Sequence, residues 1–234
     1  MPGTIYLIPT TLGGEMWEQV IPSEVAITAR KLTHFIVEDV RTARRFLSKL
    51  KMDNPINDLQ FGILNEHTTH REAEFLFQPI DEGFDIGVMS EAGVPALADP
   101  GSTVVAIAHK RGLKVVPLTG PSSIVLAVMA SGLNGQNFAF VGYVPVKSPE
   151  REQRIRQLEL RSREEMQTQF FIETPYRNNQ LLAALLATLQ PNTLLSIACD
   201  LTLPTETVIT RNVNQWKKQM PDLNKRPSIF GIQG

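Results

Sequence analysis

The segment SEAGVPALADPG (90–101) holds the most distinctive chemistry in the chain. It consists almost entirely of small residues, Gly and Pro, placed between an expected strand and an expected helix. Small residues let backbone N–H and C=O groups approach a ligand closely, and prolines fix a loop in advance. A plain structural connector is the competing reading, but loops of this length commonly carry function. PLTGPSS (117–123) repeats the arrangement after the next strand, with a Gly-Pro turn followed by Ser122 and Ser123, whose hydroxyls can also cap a helix. Two such loops after adjacent strands point to a shared pocket built largely from backbone. His67 and His70, with Glu66 and Glu72 beside them, lack an evident third ligand and read as a solvated loop, so no metal is expected. Phosphate-loop, dinucleotide and serine-hydrolase motifs are missing.

The elements that must position these loops alternate. TIYLIP (4–9), HFIVED (34–39), FGIL (61–64), DIGVMS (85–90) and LKVVPL (113–118) read as strands. Helices are expected over 43–50, 72–80, 102–110 and 122–130. Such alternation predicts a mainly parallel sheet with helices on both faces, whose ligands collect at the carboxyl edge. After the polar stretch SGLNGQN (131–137) the pattern restarts. Strands are expected at 138–145, 169–173, 193–201, 205–210 and 227–233, with an exposed helix over 149–165 and an apolar one over 178–189. The expectation is α/β, with two α/β domains, 1–134 and 135–234.

Composition narrows the functional classes. The 234 residues are 42% hydrophobic, and 23 Lys+Arg nearly cancel 24 Asp+Glu, which excludes a disordered chain. A net charge of −1 argues against a general nucleic-acid coat, though not against a local basic face. One cysteine, Cys199, excludes an internal disulfide and a Cys-based zinc cluster. The opening residues lack the pattern of a secretory leader, and the longest apolar runs are too short to span a membrane. A cytoplasmic protein without membrane association is expected.

SEAGVPALADPGS, then PLTGPSS, GYVPVKSPER (142–151) and ETPYR (173–177), resemble in order the tetrapyrrole methylase superfamily of S-adenosylmethionine (SAM)-dependent methyltransferases. The similarity is greatest to its 16S ribosomal RNA cytidine 2'-O-ribose methyltransferase branch, which reads SDAGTPxxSDPG, PxPGPSA, GFLPxK and ESPHR at these places. IPTTLGG (8–14) resembles that branch's ATPIGN loop, and EDVRT (38–42) its EDTRxT. The resemblance implies S-adenosyl-L-methionine folded into a cleft between two α/β domains, held by Pro9, Ser90, Glu91, Ala92, Gly93, Val94, Pro121, Ser122, Ser123, Ile172, Glu173 and, less directly, Thr202. It also implies a homodimer and ribosomal RNA, or the small ribosomal subunit, as partner.

A ribose hydroxyl is a poor nucleophile and needs a base or a group that stabilises its alkoxide. Arg41, Glu173 and Arg177 are the catalytic candidates. Their plain alternatives are a helix-face charge for Arg41 and an ordinary ion pair for the other two. Departures from the family pattern fall on the acceptor side. Where relatives read RELTKxxEE this chain has CDLTLPTET (199–207), so Cys199 stands for an arginine and Leu203 for a lysine, and Tyr176 stands for a histidine. Basic residues cluster at Arg41, Arg44, Arg45, Lys49 and Lys51, and again over 147–163; either group could track an RNA backbone, but interleaved glutamates make the second read as a salt-bridged solvated helix. Two other readings stand beside an RNA methyltransferase: a methyltransferase of a small molecule such as a tetrapyrrole, and a non-catalytic SAM-binding protein.

Overall fold

A computed structural model of the chain describes residues 2–65 and 67–234. The chain divides into two compact units, the first ending at Ser122 and the second beginning at Ser123.

The first unit is built on a parallel sheet of β1 (Ile5–Ile8), β2 (His34–Val37), β3 (Gln60–Ile63), β4 (Ile86–Met89) and β5 (Val115–Pro117), in the order β3-β2-β4-β1-β5. Central β4 is buried at all four positions, as a strand covered on both faces must be. Helices α1 (Ser23–Arg30) and α2 (Val40–Leu50) cover one face through Val25, Ala29, Phe46 and Leu47. On the other face α3 (His70–Phe75), α4 (Gln78–Asp81) and α5 (Gly101–Lys110) pack Ala73, Phe77, Ile80 and Ile107. The single helix expected over 72–80 is two short ones. A capping box of Thr69 and Glu72 opens α3, and Pro79 in the first turn of α4 starts a new helix because it lacks an N–H to continue the old one.

The second unit begins with α6 (Ser123–Ser131), which packs on the second sheet. The sequence-based division between 134 and 135 follows the polar turn after this helix. The contacts place the division before the helix, because its apolar face belongs to the sheet downstream. That sheet comprises β6 (Phe138–Tyr143), β7 (Thr168–Ile172), β8 (Leu194–Cys199), β9 (Thr207–Asn212) and β10 (Ser228–Gln233), in the order β6-β7-β10-β8-β9. Only β6 and β7 pair in parallel; the other pairs are antiparallel. Its core joins Leu181, Leu182 and Leu185 of α8 (Asn178–Thr188), Trp216 of α9 (Val213–Lys218), and Phe171 and Phe230, whose rings stack at 6.0 Å.

Helix α7 (Glu150–Glu164) is more than a solvated helix. Ile155 and Leu158 are buried, and so are Arg151 and Glu159. Arg151 Nε donates to the Pro145 carbonyl at 2.9 Å, and Glu159 accepts from the Gln190 amide at 2.8 Å. Buried charges persist where hydrogen bonds replace the lost water. The expected salt bridges run along the outer face, Arg161–Glu165 at 3.1 Å and Arg156–Glu152 at 3.9 Å.

Candidate functional site

Three loops converge at the carboxyl edge of the first sheet, after β1, β4 and β5. The Thr10 amide donates to the Gly93 carbonyl at 2.8 Å, and the buried Ser90 hydroxyl donates to the same oxygen at 3.2 Å. Gly93 has φ +79°, and a Cβ there would lie 3.0 Å from Leu12 Cδ2 and 3.1 Å from the Pro121 carbonyl oxygen. At Gly120 a Cβ would fall 2.1 Å from Pro9 Cβ. Pro9, Ser90, Gly93 and Pro121 are thus brought together. The need for glycine arises inside the protein, where loop meets loop. Glu91 and Ala92 are exposed, Val94 is half-buried, and Ser122 and Ser123, also half-buried, lie where α6 begins.

The rest of the 90–101 loop is organised by Asp99. Its Oδ1 accepts the amides of Ala96 at 2.8 Å and Gly101 at 2.7 Å. Ala96 and Ala98 both take positive φ, 65° and 61°, conformations that cost alanine energy and need such an anchor. Burial pushes the Asp99 carboxyl above its ordinary range, against the pull of those two amides.

Beside these loops lies a cavity of about 200 Å³. It is lined by the 10–15 loop, the ends of β2 and β4, and Thr42, Arg45, Phe46 and Lys49 of α2. Helix α2 is aimed by Asp39, whose Oδ1 accepts the Thr42 amide at 2.7 Å as an N-terminal cap. Glu38 also lines the cavity, and its Oε1 accepts the Glu91 amide at 3.3 Å. Burial raises its carboxyl, and the charges of Asp99 and Glu91 add to that shift. Arg41 is exposed and outside this lining, because the helical period sets residues 42, 45, 46 and 49 along the cavity instead.

In the second unit, Glu173 follows β7 with its carboxyl buried. Its Oε1 accepts from Arg177 Nη2 at 2.6 Å and from the Thr174 amide at 2.7 Å. Burial pushes this carboxyl up, but the Arg177 hydrogen bond, the amide and the charges of Arg177 and Arg151 outweigh it and hold it below the usual range. Glu173 Oε2, Thr174 Oγ1 and Asn178 Oδ1 are buried without a hydrogen-bond partner. Ile172 ends β7, half-buried. Thr202 has φ +70° in a turn where its amide donates to Glu206 Oε2 at 2.6 Å.

Two departures from the family pattern, Cys199 and Leu203, lie at the end of β8 and in the turn after it. Cys199 is the fully buried last residue of β8, a position packed into the core. The cation at this strand end is Arg226, whose Nε donates to Asp200 Oδ2 at 2.8 Å. Leu203 is half-buried in the turn that follows. His67 and His70 are both exposed, with His70 Nε2 3.6 Å from Glu74, while Glu66 lies outside the described residues. Among the described residues no group of three metal-ligating side chains occurs.

Sequence reasoning did not single out Thr10, Leu12, Glu38 or Asp99, and it counted Arg45 and Lys49 only in the basic cluster. Glu38 and Asp99 stand inside quoted motifs. The spacing of Thr42, Arg45, Phe46 and Lys49 was the available signal for the cavity wall.

The model of the tetrapyrrole (corrin/porphyrin) methylases matches residues 25–216. The chain belongs to this family. It is accordingly a methyltransferase. Ribosomal RNA small subunit methyltransferase I of Pasteurella multocida is 29% identical over 237 residues, covering 100% of this chain and 80% of that protein. The protein of the same name from Vibrio cholerae is 30% identical over 206 residues, covering 87% of this chain and 67% of its own. The crystal structure of the methyltransferase CobJ superposes with a TM-score of 0.65 over 99% of this chain and 94% of that chain, at 17% identity, a likeness of fold. Both units are thus of the α/β type expected of the family. Among the described residues no helix is long and apolar enough to cross a membrane.

Proposed function

We propose that the protein transfers a methyl group from SAM to a ribose 2'-hydroxyl of small-subunit ribosomal RNA. The observation that carries this reading is the similarity, over nearly the whole chain, to proteins named ribosomal RNA small subunit methyltransferase I. A homodimer in the cytoplasm is part of the same proposal.

The residues present fit the cofactor. In the first unit a loop of small residues is pinned from behind by Thr10, Leu12 and Pro121, which leaves backbone groups of Glu91, Ala92 and Val94 to meet a ligand. Pro9, Ser90, Gly93, Pro121 and Ser122 complete that unit's contribution. In the second unit Glu173 Oε2 is a buried acceptor without a donor, suited to a hydroxyl or an ammonium. Ser123, Ile172 and Thr202 are proposed with it. When bound, SAM supplies a methyl carbon on a sulfonium leaving group, so the protein's task is chiefly to position and to manage a proton.

Glu38 is best suited to take that proton. It lines the cavity and its raised carboxyl makes it the stronger base. Glu173, held ionised by Arg177, is the weaker base and the better orienting acceptor. Arg41 and Arg177 supply positive charge for the acceptor side. The test is incubation with methyl-labelled SAM and small-subunit particles lacking the methylation. Label on the RNA is expected. SAM binding without labelled RNA would transfer the reading to a small-molecule acceptor.

A further inference from the structure

Helix α2 has a basic face, part of which also borders the cavity. It carries Arg41, Arg44, Arg45 and Lys49 and has no acidic residue between Val40 and Leu50. At a rise of about 1.5 Å per residue these cations spread along roughly 12 Å of helix. Arg41, Arg44 and Arg45 are exposed, in a chain whose net charge is only −1. The opposite face is anchored in the core by Ala43, Phe46, Leu47 and Leu50, so the basic face is held rigidly outward. Arg44 lies 5.4 Å from the centre of the half-buried Phe61 ring on edge strand β3, a ring that also stacks on buried Phe35 at 5.8 Å, so the exposed guanidinium caps the aromatic pair. Arg45 and Lys49 belong both to this stripe and to the cavity wall. Two neighbouring carboxylates temper the charge: Glu15 pairs with Lys49, and Asp39 is committed to the helix cap.

We infer that the exposed basic face of α2 is the surface that holds a single-stranded segment of RNA and leads one of its nucleotides to the cavity. This rests on the RNA reading proposed above. Guanidinium forks match phosphate oxygens in a bidentate way, and the exposed plane of a guanidinium held over a ring can stack under an unpaired base without sequence preference. A membrane surface fits less well, because the apolar side of the helix is buried and has nothing to insert. The continuity of the stripe with the cavity through Arg45 and Lys49 makes one ligand serve both.

The test measures binding of the whole protein to a short single-stranded oligoribonucleotide across a salt series. Each lost phosphate contact lowers the slope of log K against log salt by about 0.7 on a single strand, so R44Q/R45Q should lower it by about 1.4. R156Q/R163Q on α7 should leave the slope unchanged, and circular dichroism checks that both variants fold. An unchanged slope in R44Q/R45Q, an equal loss in the α7 variant, or binding to phosphatidylserine vesicles without binding to RNA would each overturn the surface. The two readings separate cleanly. A wild type that methylates particles while R44Q/R45Q keeps its slope ends the surface alone. Loss of slope in a protein that labels no RNA supports the surface and ends the ribose reading.

Discussion

The Thr10 amide and the Gly93 carbonyl meet at 2.8 Å, tying the loop after β1 to the loop after β4. This bond holds the backbone of the 90–101 loop from behind and narrows the conformations open to its tip. Preorganisation of this kind reduces the ordering cost of binding.

Gly93→Ala tests the packing behind that loop. The substitution meets φ +79° and contacts of 3.0 and 3.1 Å at once. Strain of this type costs about 1–3 kcal/mol, so a lower urea midpoint and weaker SAM binding by calorimetry are expected. Unaltered stability and affinity would show that the loops tolerate a side chain there.

Asp99 tests the anchor of the same loop. Asp99→Ala removes the acceptor of two part-buried amides beside strained Ala96 and Ala98, and a loss of roughly 1–3 kcal/mol in all is expected. Asp99→Asn keeps an oxygen for both amides and should restore most of the loss. Equal unfolding curves for the two variants would refute the anchoring role.

Acid unfolding tests Glu173. Its carboxyl titrates below the ordinary 4.5 in the folded protein, so the ion pair's contribution is complete above that value and is lost as pH falls through the lowered one. Glu173→Gln should therefore be less stable than wild type at neutral pH, by about 1–2 kcal/mol given the part-exposed Arg177, and the gap should close in acid. A gap that persists at low pH would assign the loss to packing alone.

Much of this architecture is legible in the residues themselves. The strands TIYLIP, HFIVED and DIGVMS announce themselves because β1, β2 and β4 are covered on both faces, so apolar character runs unbroken through them. The loops 90–101 and 117–123 are visible because backbone-lined loops need Gly and Pro. What stays hidden depends on three-dimensional neighbours. Helix α6 looks like the end of one unit in sequence, yet its partners are β8, β9 and β10, far downstream. Arg151 and Glu159 look like surface charges, since nothing local reveals the carbonyls and amides that satisfy them. Glu38 sits beside Asp39, which takes the obvious capping role, and only the cavity sets it apart.

Glu38 makes a kinetic prediction. With its carboxyl raised above the ordinary 4.5, activity should climb as pH rises through that raised value and the base ionises. Glu38→Gln should lose about 10²–10⁴ in turnover and the rising limb with it. The same variant should be as stable as wild type or slightly more so at neutral pH, since a half-buried charge is removed. A retained pH limb would place the base elsewhere.

Nucleoside analysis bears most directly on the proposed reaction. Small-subunit particles lacking the methylation are incubated with the protein and methyl-labelled SAM, and their RNA is digested and separated. A labelled 2'-O-methylnucleoside, reduced by Glu38→Gln, is the expected product. Label on a base, or none on RNA when calorimetry shows SAM bound, would contradict ribose methylation.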